Sequence, residues 1–174
     1  GLARAAATIV SALLSASCAT APTANVTHAW SDSCYDSFGH DVDLLALPET
    51  RDCGFLPLTA SRSDRRATVD CVASEDAAGH PFKSGYGSIG TDSSYCVAVL
   101  RERDGVYWKL FFDADATGQF GRGGAHSTFS VERCSTLALA PGTIGPGSFL
   151  RLDGCLRSDD RIRQIIASWG EQSR

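Results

Sequence analysis

The chain holds 174 residues, a length that favours one domain, and its 43% hydrophobic and 21% charged residues are ordinary for a globular protein and far from disorder. Net charge is −4, which argues against a nucleic-acid binder, since such a protein needs a basic face to neutralise phosphates. Arginine outnumbers lysine 14 to 2, so no single arginine is read as a chosen phosphate ligand.

From Ala5 to Ala16 the residues are small or apolar, broken only by Thr8, Ser11 and Ser15. As a helix this run spans about 18 Å, short of a bilayer core of about 30 Å. It suits the apolar region of a signal peptide, with Arg4 as the remnant of its basic start. The pattern LLSASC, ending at Cys18, resembles the lipobox of bacterial lipoproteins, with Ser15 at the family's leucine position and Leu14 one step before it. The resemblance implies cleavage before Cys18 and a lipid on its sulfur, so that contact with a membrane would run only through that lipid. The competing cut, by an ordinary signal peptidase after Ala19, would discard Cys18. A buried helix with a free thiol at Cys18 is the third reading, and a polyalanine-like run before a Thr/Pro-rich stretch fits it poorly. Residues 1–18 are therefore read as a signal segment, 19–25 as a linker and 26–174 as a single globular domain. Trp30, its first large apolar side chain, is placed to tuck the start of the domain onto its body.

DVDLLALPET (41–50) reads as a strand or as a short helix stopped by Pro48. ATVDCVA (67–73), STFSVERC (127–134) and SFLRLDGCL (148–156) read as strands, each short, rich in β-branched or aromatic residues, and bounded by Gly, Pro or Ser. The clearest element is SSYCVAVLRERDGVYWKLFFDADA, where Asp104-Gly105 signals a hairpin with a two-residue type I′ turn. That turn sets Val99 opposite Leu110 and Val97 opposite Phe112 on a half-buried face. The tail SDDRIRQIIASWGEQSR reads as a helix, with Ser158 at the N-cap, Asp159 and Asp160 at the positive end of the dipole, and Gly170 closing it. Ile162, Ile165, Ile166 and Trp169 form one apolar stripe, which packs on the sheet.

Seven cysteines are many for a compartment where thiols stay reduced and common in an exported protein. None forms a C-x-x-C pair, so zinc ribbons and thioredoxin-like sites lack the short spacing they need. With Cys18 lost or acylated, Cys34, Cys53, Cys71, Cys96, Cys134 and Cys155 remain to pair. Fifteen pairings are open. Sequential pairing, Cys34–Cys53, Cys71–Cys96 and Cys134–Cys155, closes the most local loops.

The sequence carries few catalytic motifs. There is no G-x-S-x-G elbow, no H-E-x-x-H and no P-loop. His28, His40, His80 and His126 are scattered, with His40 beside Asp41 and Asp43 and His126 beside Ser127. Asp113, Asp115, Thr117 and Gly118 match the opening of a calcium loop, but Gly124 stands where the bidentate Glu belongs. A polar strand-to-strand loop is the better reading. No catalytic, cofactor-binding or metal-ligating residue is assigned. Two Gly-rich segments carry candidate partner contacts: Phe82 and Tyr86, near Lys83, in 79–96, and Phe120 and Arg122 in 118–124. The same segments could instead fold back over a sheet end.

These observations imply a β-rich α+β domain: a small antiparallel sheet with a C-terminal helix packed on it, stapled by disulfides. The expected setting is outside the cytoplasm: the bacterial periplasm, the outer membrane through a lipid anchor, or the medium. The expected activity is binding of another envelope or secreted protein, with no cofactor. The alternative is a small secreted hydrolase using a His–carboxylate pair, which needs a histidine, a carboxylate and a further polar group on one cleft.

Overall fold

In the computed structural model of the chain, residues 30, 38–89, 94–113, 128–139 and 150–172 are described. They form a β-rich α+β fold: a mostly antiparallel sheet with a helix at its C-terminal end, crosslinked by disulfides. The elements in chain order are α1 (Phe38–Asp43), β1 (Arg51–Leu56), α2 (Arg62–Ala78), β2 (Phe82–Ile89), β3 (Ser94–Arg101), β4 (Tyr107–Asp113), β5 (Thr128–Cys134), β6 (Thr136–Leu139), β7 (Leu150–Asp153), β8 (Leu156–Arg157) and α3 (Asp159–Gln172). Six strands make one sheet in the order β1-β2-β3-β4-β5-β8, and β6 and β7 form a separate two-stranded ribbon. Only β1–β2 is a parallel pair in the larger sheet, because α2 carries the chain between them.

The sheet is buried on both faces, which the middle of β3 dictates. Along Cys96-Val97-Ala98-Val99-Leu100 every side chain is apolar, and alternation sends Cys96, Ala98 and Leu100 to one face and Val97 and Val99 to the other. On the first face they meet Trp108, Leu110 and Val131 under Phe38, Val42 and Leu45, around α1, and Ile162 and Ile165 of α3. On the second they meet Phe82, Tyr86 and Tyr107 under Val72 of α2 and Leu150 of β7. The hairpin expected to be half-buried is thus covered on both faces.

Its register also differs from expectation by one residue. Ala98 faces Leu110, Val97 faces Phe111 and Arg101 faces Tyr107. The cause is a three-residue loop, Arg103-Asp104-Gly105. The Gly105 N–H donates to the Glu102 carbonyl at 3.1 Å, the Glu102 N–H donates to the Val106 carbonyl at 2.9 Å, and Gly105 sits at φ +81°. This is a type I turn followed by a left-handed glycine, in which Asp-Gly fills the last two loop positions instead of being the whole loop.

The segment 67–73, expected as a strand, lies inside α2. The physical reason is a complete pair of caps. Ser61 Oγ accepts from the Asp64 N–H at 3.2 Å, and the Asp64 carboxylate accepts from the Ser61 N–H at 2.9 Å. At the other end Gly79 takes the left-handed conformation, and the Gly79 and His80 N–H groups donate to the Asp76 and Glu75 carbonyls. Thr68 and Val72, one turn apart, are the buried residues of this helix, so the β-branched residues of 67–73 serve a helical face.

The remaining expectations divide cleanly. Segment 41–50 is the end of α1 and the turn after it, β5 covers the described part of 127–134, and α3 begins after Ser158. The described part of segment 148–156 is split between β7 and β8, which belong to different sheets. α3 runs through Gly170 to Gln172. Cys134–Cys155 forms as expected, whereas Cys53 bonds to Cys71, which overturns both Cys34–Cys53 and Cys71–Cys96. The reason lies in α2: as a helix crossing from β1 to β2, it lays Cys71 over β1, with a Cα–Cα distance of 5.7 Å to Cys53.

The packing makes a direct prediction. Leu110→Ala removes a fully buried side chain from the sheet centre and should cost about 2–5 kcal/mol. Leu156→Ala, at a side chain 74% exposed, should stay within about 0.5 kcal/mol of the parent. Denaturant unfolding with the disulfides intact measures both.

Candidate functional site

The densest polar constellation near the chain's first described residue is built on β2. On the face toward α1, this strand presents Lys83, Gly85 and Gly87, paired with Leu100, Ala98 and Cys96 of β3. Two glycines at spacing two leave a trough in the sheet surface, and aromatic rings fill it. A Cβ at Gly85 would lie 2.9 Å from both the Phe55 and Trp30 rings, and one at Gly87 would lie 3.6 Å from Phe55. Trp30 stacks obliquely on Phe55, with centroids 5.4 Å apart, and on Phe38 at 6.3 Å. Trp30 also backs onto Gly39, where a Cβ would stand 2.5 Å from its own. The tryptophan thus tucks onto the body of the domain, as the sequence suggested.

Polar groups close the end of this trough. The Trp30 indole N–H lies 3.1 and 3.0 Å from the two oxygens of the Asp52 carboxylate, and the same carboxylate accepts from the Gly54 N–H at 2.7 Å. The Lys83 ammonium lies 3.2 Å from Asp52, pairs with Asp43 at the end of α1, and sits 5.3 Å from the centre of the Trp30 ring. Its side chain is 11% exposed, while Asp43 and Asp52 are 57% and 46% exposed. Burial alone would lower the Lys83 pKa, but the hydrogen bonds and charges of Asp43 and Asp52 outweigh it and move it upward. Lys83 is therefore held as a cation. It joins α1, β1 and β2, and a protonated amine in two carboxylates is poorly suited to act as a base or nucleophile.

A second cluster lies across the sheet, where α2 ends. The Tyr107 hydroxyl donates to Asp76 Oδ1 at 2.6 Å, and Arg101 Nε lies 3.0 Å from the same oxygen as an ion pair without a hydrogen-bond alignment. The Arg101 guanidinium also sits over the Tyr107 ring at 5.9 Å. Beside it, His80 Nδ1 is 3.0 Å from Glu75 Oε2, with the His80 side chain 67% exposed. Burial, with the hydrogen bond to Asp76 added, moves the Tyr107 pKa upward against the opposing pull of Arg101. Burial pushes the Tyr86 phenol up to about 12, with Tyr95 contributing.

The structure redistributes the residues singled out from sequence. Phe82 and Tyr86 are core residues under α2, not a contact surface, because 82–89 is a strand in the sheet and not a Gly-rich loop. His40 is exposed on α1, and of the two described histidines it is His80 that meets a carboxylate. Phe120, Arg122, His28, His126, Cys18 and Cys34 lie outside the described residues, as do residues 114–127, which hold the rest of the calcium-like loop after Asp113. Glu132, Cys134 and Cys155 place ligand-type atoms within 4.8 Å of one another, but the two sulfurs are bonded to each other and Glu132 is paired with Lys109 at 3.0 Å. That donor set does not fit a metal ion in this state. Comparison with protein-family models, with curated proteins and with solved structures finds no match.

The trio of Asp43, Asp52 and Trp30 around Lys83 was not assembled from sequence. The signal was the alternation K-x-G-x-G in 83–87, which marks one strand face made of a lysine and two side-chain-free positions.

Two predictions follow from this geometry. Gly85→Ala forces the Phe55 and Trp30 rings apart and should cost about 1–3 kcal/mol, whereas Gly87→Ala meets ordinary contact distance and should cost under about 1 kcal/mol. Combining Gly85→Ala with Trp30→Ala should shrink the Gly85 penalty, as read by a double-mutant cycle in denaturant. The second concerns alkali. Lys83, Tyr86 and Tyr107 all have folded pKa values raised above their ordinary ones, so their contributions are complete below about pH 10 and are lost as pH climbs through the folded values. Stability should fall above pH 10, and Tyr86→Phe should remove the part of the tyrosinate absorbance titration centred near pH 12.

Proposed function

We propose that this chain is an exported domain that acts by binding another envelope or secreted protein, tethered by a lipid on Cys18 or released. The observation that supports it best is how its charges are used. Among the described residues, Lys83 is neutralised by Asp43 and Asp52, Arg101 by Asp76, Lys109 by Glu132 and Arg161 by Glu102. These pairs bridge different elements and serve the fold, which leaves a rigid crosslinked body suited to holding surface segments in place. Disulfides are compatible with maturation in an oxidising compartment.

The hydrolase reading rests on His80 and Glu75, a hydrogen-bonded His–carboxylate pair. Its weakness is that, among the described residues, no hydroxyl or thiol hydrogen-bonds to His80. A general base needs its nucleophile within reach.

The experiment uses the chain without residues 1–18 as bait against a native envelope extract, with captured proteins identified by mass spectrometry and remeasured as purified pairs. A saturable, stoichiometric partner that binds the His80→Ala variant equally well is the expected result. No partner, together with hydrolysis of an ester or cell-wall substrate that His80→Ala abolishes, would replace binding with catalysis.

A further inference from the structure

We infer that Arg65 and Thr68, on the sheet-facing side of α2, form a binding site for a small oxyanion, a phosphate or a carboxylate. Among the described residues, four buried side-chain atoms have no hydrogen-bond partner: Arg65 Nε, Thr68 Oγ1, Arg101 Nε and Trp108 Nε1. Arg101 is compensated by its ion pair with Asp76, and Trp108 stands apart on the face toward α1 and α3. Arg65 and Thr68 are neighbours, three residues apart on one helix.

Each is also an exception. Of the described lysines and arginines that are buried or half-buried, Lys83, Arg101, Lys109 and Arg161 each have a carboxylate oxygen within 3.2 Å. Arg65, half-buried, has no ion pair among the described residues. The carboxylates nearest to it in sequence are engaged: Asp64 in the capping box and Asp70 with Arg66 at 3.7 Å. Ser84, as fully buried as Thr68, donates to the Gly54 carbonyl, whereas the Thr68 hydroxyl meets no partner.

The helix explains why these two groups turn inward. Arg65, Thr68 and Val72 follow the i, i+3, i+7 spacing, and Val72 is fully buried in the cluster that holds Leu56, Phe82 and Tyr86. Arg65 thus stands where the stripe calls for an apolar side chain, and a cation there is costly unless something neutralises it. An oxyanion satisfies both groups, since the guanidinium offers a planar fork of N–H donors and the hydroxyl donates one more. Arg65 is the fourth residue of α2, so the positive end of the helix dipole adds to the attraction. Both unpartnered atoms are screened from water, so the occupant is a small ion and not the surface of a protein; Arg65 as a whole is only half-buried, which leaves an ion a way in. The inference goes beyond the binding reading and stands without it.

Titration of the full oxidised chain with inorganic phosphate, and separately with acetate, at constant ionic strength tests it by proton–nitrogen NMR. The expected result is saturable movement of the Arg65 Nε–H and Thr68 amide resonances with at least one anion. Saturation by phosphate alone marks a tetrahedral ligand, and by acetate alone a planar one. No movement, shifts that stay linear, or shifts centred elsewhere overturn the inference. A second measurement uses Arg65→Met, which should weaken binding of the saturating anion about tenfold or more. Without anion this variant should melt no lower than the parent, because it removes an unpaired cation. Undiminished binding, or a clearly lower melting midpoint without anion, overturns the site, the latter because Arg65 would already serve the fold. If Arg65→Met fails to fold, that outcome counts with the lower midpoint. Capture of a partner protein bears on none of these outcomes.

Discussion

The filling of a glycine trough by two aromatic rings is the contact on which the α1 face of this protein depends. Gly85 and Gly87 give up side chains on a central strand, which weakens a strand considered alone. The loss is offset because Phe55 and Trp30 come down onto the bare backbone and bring Phe38 with them. Trp30 is far from this strand in sequence, so one ring ties position 30 to the sheet. Its indole N–H then selects Asp52, Asp52 holds Lys83, and Lys83 holds Asp43 at the end of α1. An apolar fit thus sets the position of an ionic network. Without the rings, Lys83 would stand in water, and attraction between half-exposed charges would contribute little.

What could be read from sequence follows from the range of the forces involved. The C-terminal helix was legible because Ser158, the two aspartates and the Ile162–Ile165 spacing all act within a few turns. The existence of the hairpin was legible from Asp104-Gly105, but its register turned on whether two or three residues form the loop, and that choice is settled by burial on both faces. α2 was misread although its capping box and C-terminal glycine are local signals. A window confined to ATVDCVA contains Thr and two Val and looks like a strand, while the caps lie several residues outside it. β2 was misread for the opposite reason. Its glycines suggest a loop until the rings that cover them are known, and those come from residues 30 and 55. Disulfide partners depend on tertiary placement throughout: Cys53–Cys71, 18 residues apart, was missed because 67–73 was read as a strand and not as part of α2, while Cys134–Cys155, 21 residues apart, was expected.

The two fully described disulfides share a logic. Cys53 lies on β1, at one edge of the six-stranded sheet, and Cys134 ends β5, which pairs with the short edge strand β8 just after Cys155. Edge strands have hydrogen bonds on one side only and are where a sheet frays or pairs with another chain. Loops of 18 and 21 residues are closed at these edges, each bond being worth about 3 kcal/mol in the chain-entropy account. These two covalent bonds therefore sit where noncovalent pairing is thinnest.

That division bears on function. Catalysis needs ionisable groups left poised, with some of their interaction energy reserved for a transition state. Here the buried lysine is locked as a cation between two carboxylates, and the buried tyrosines are pushed toward the neutral form. Both effects remove acid–base capacity near neutral pH in exchange for cohesion. The His80–Glu75 pair escapes this rule, but it lies where α2 ends, with the imidazole largely in solvent and its backbone carbonyl accepting a long contact from Arg101. A largely solvated imidazole lacks the desolvated surroundings that make such a pair effective. A body organised in this way is better built to hold a recognition surface rigid than to move protons, which is why binding is the stronger of the two readings.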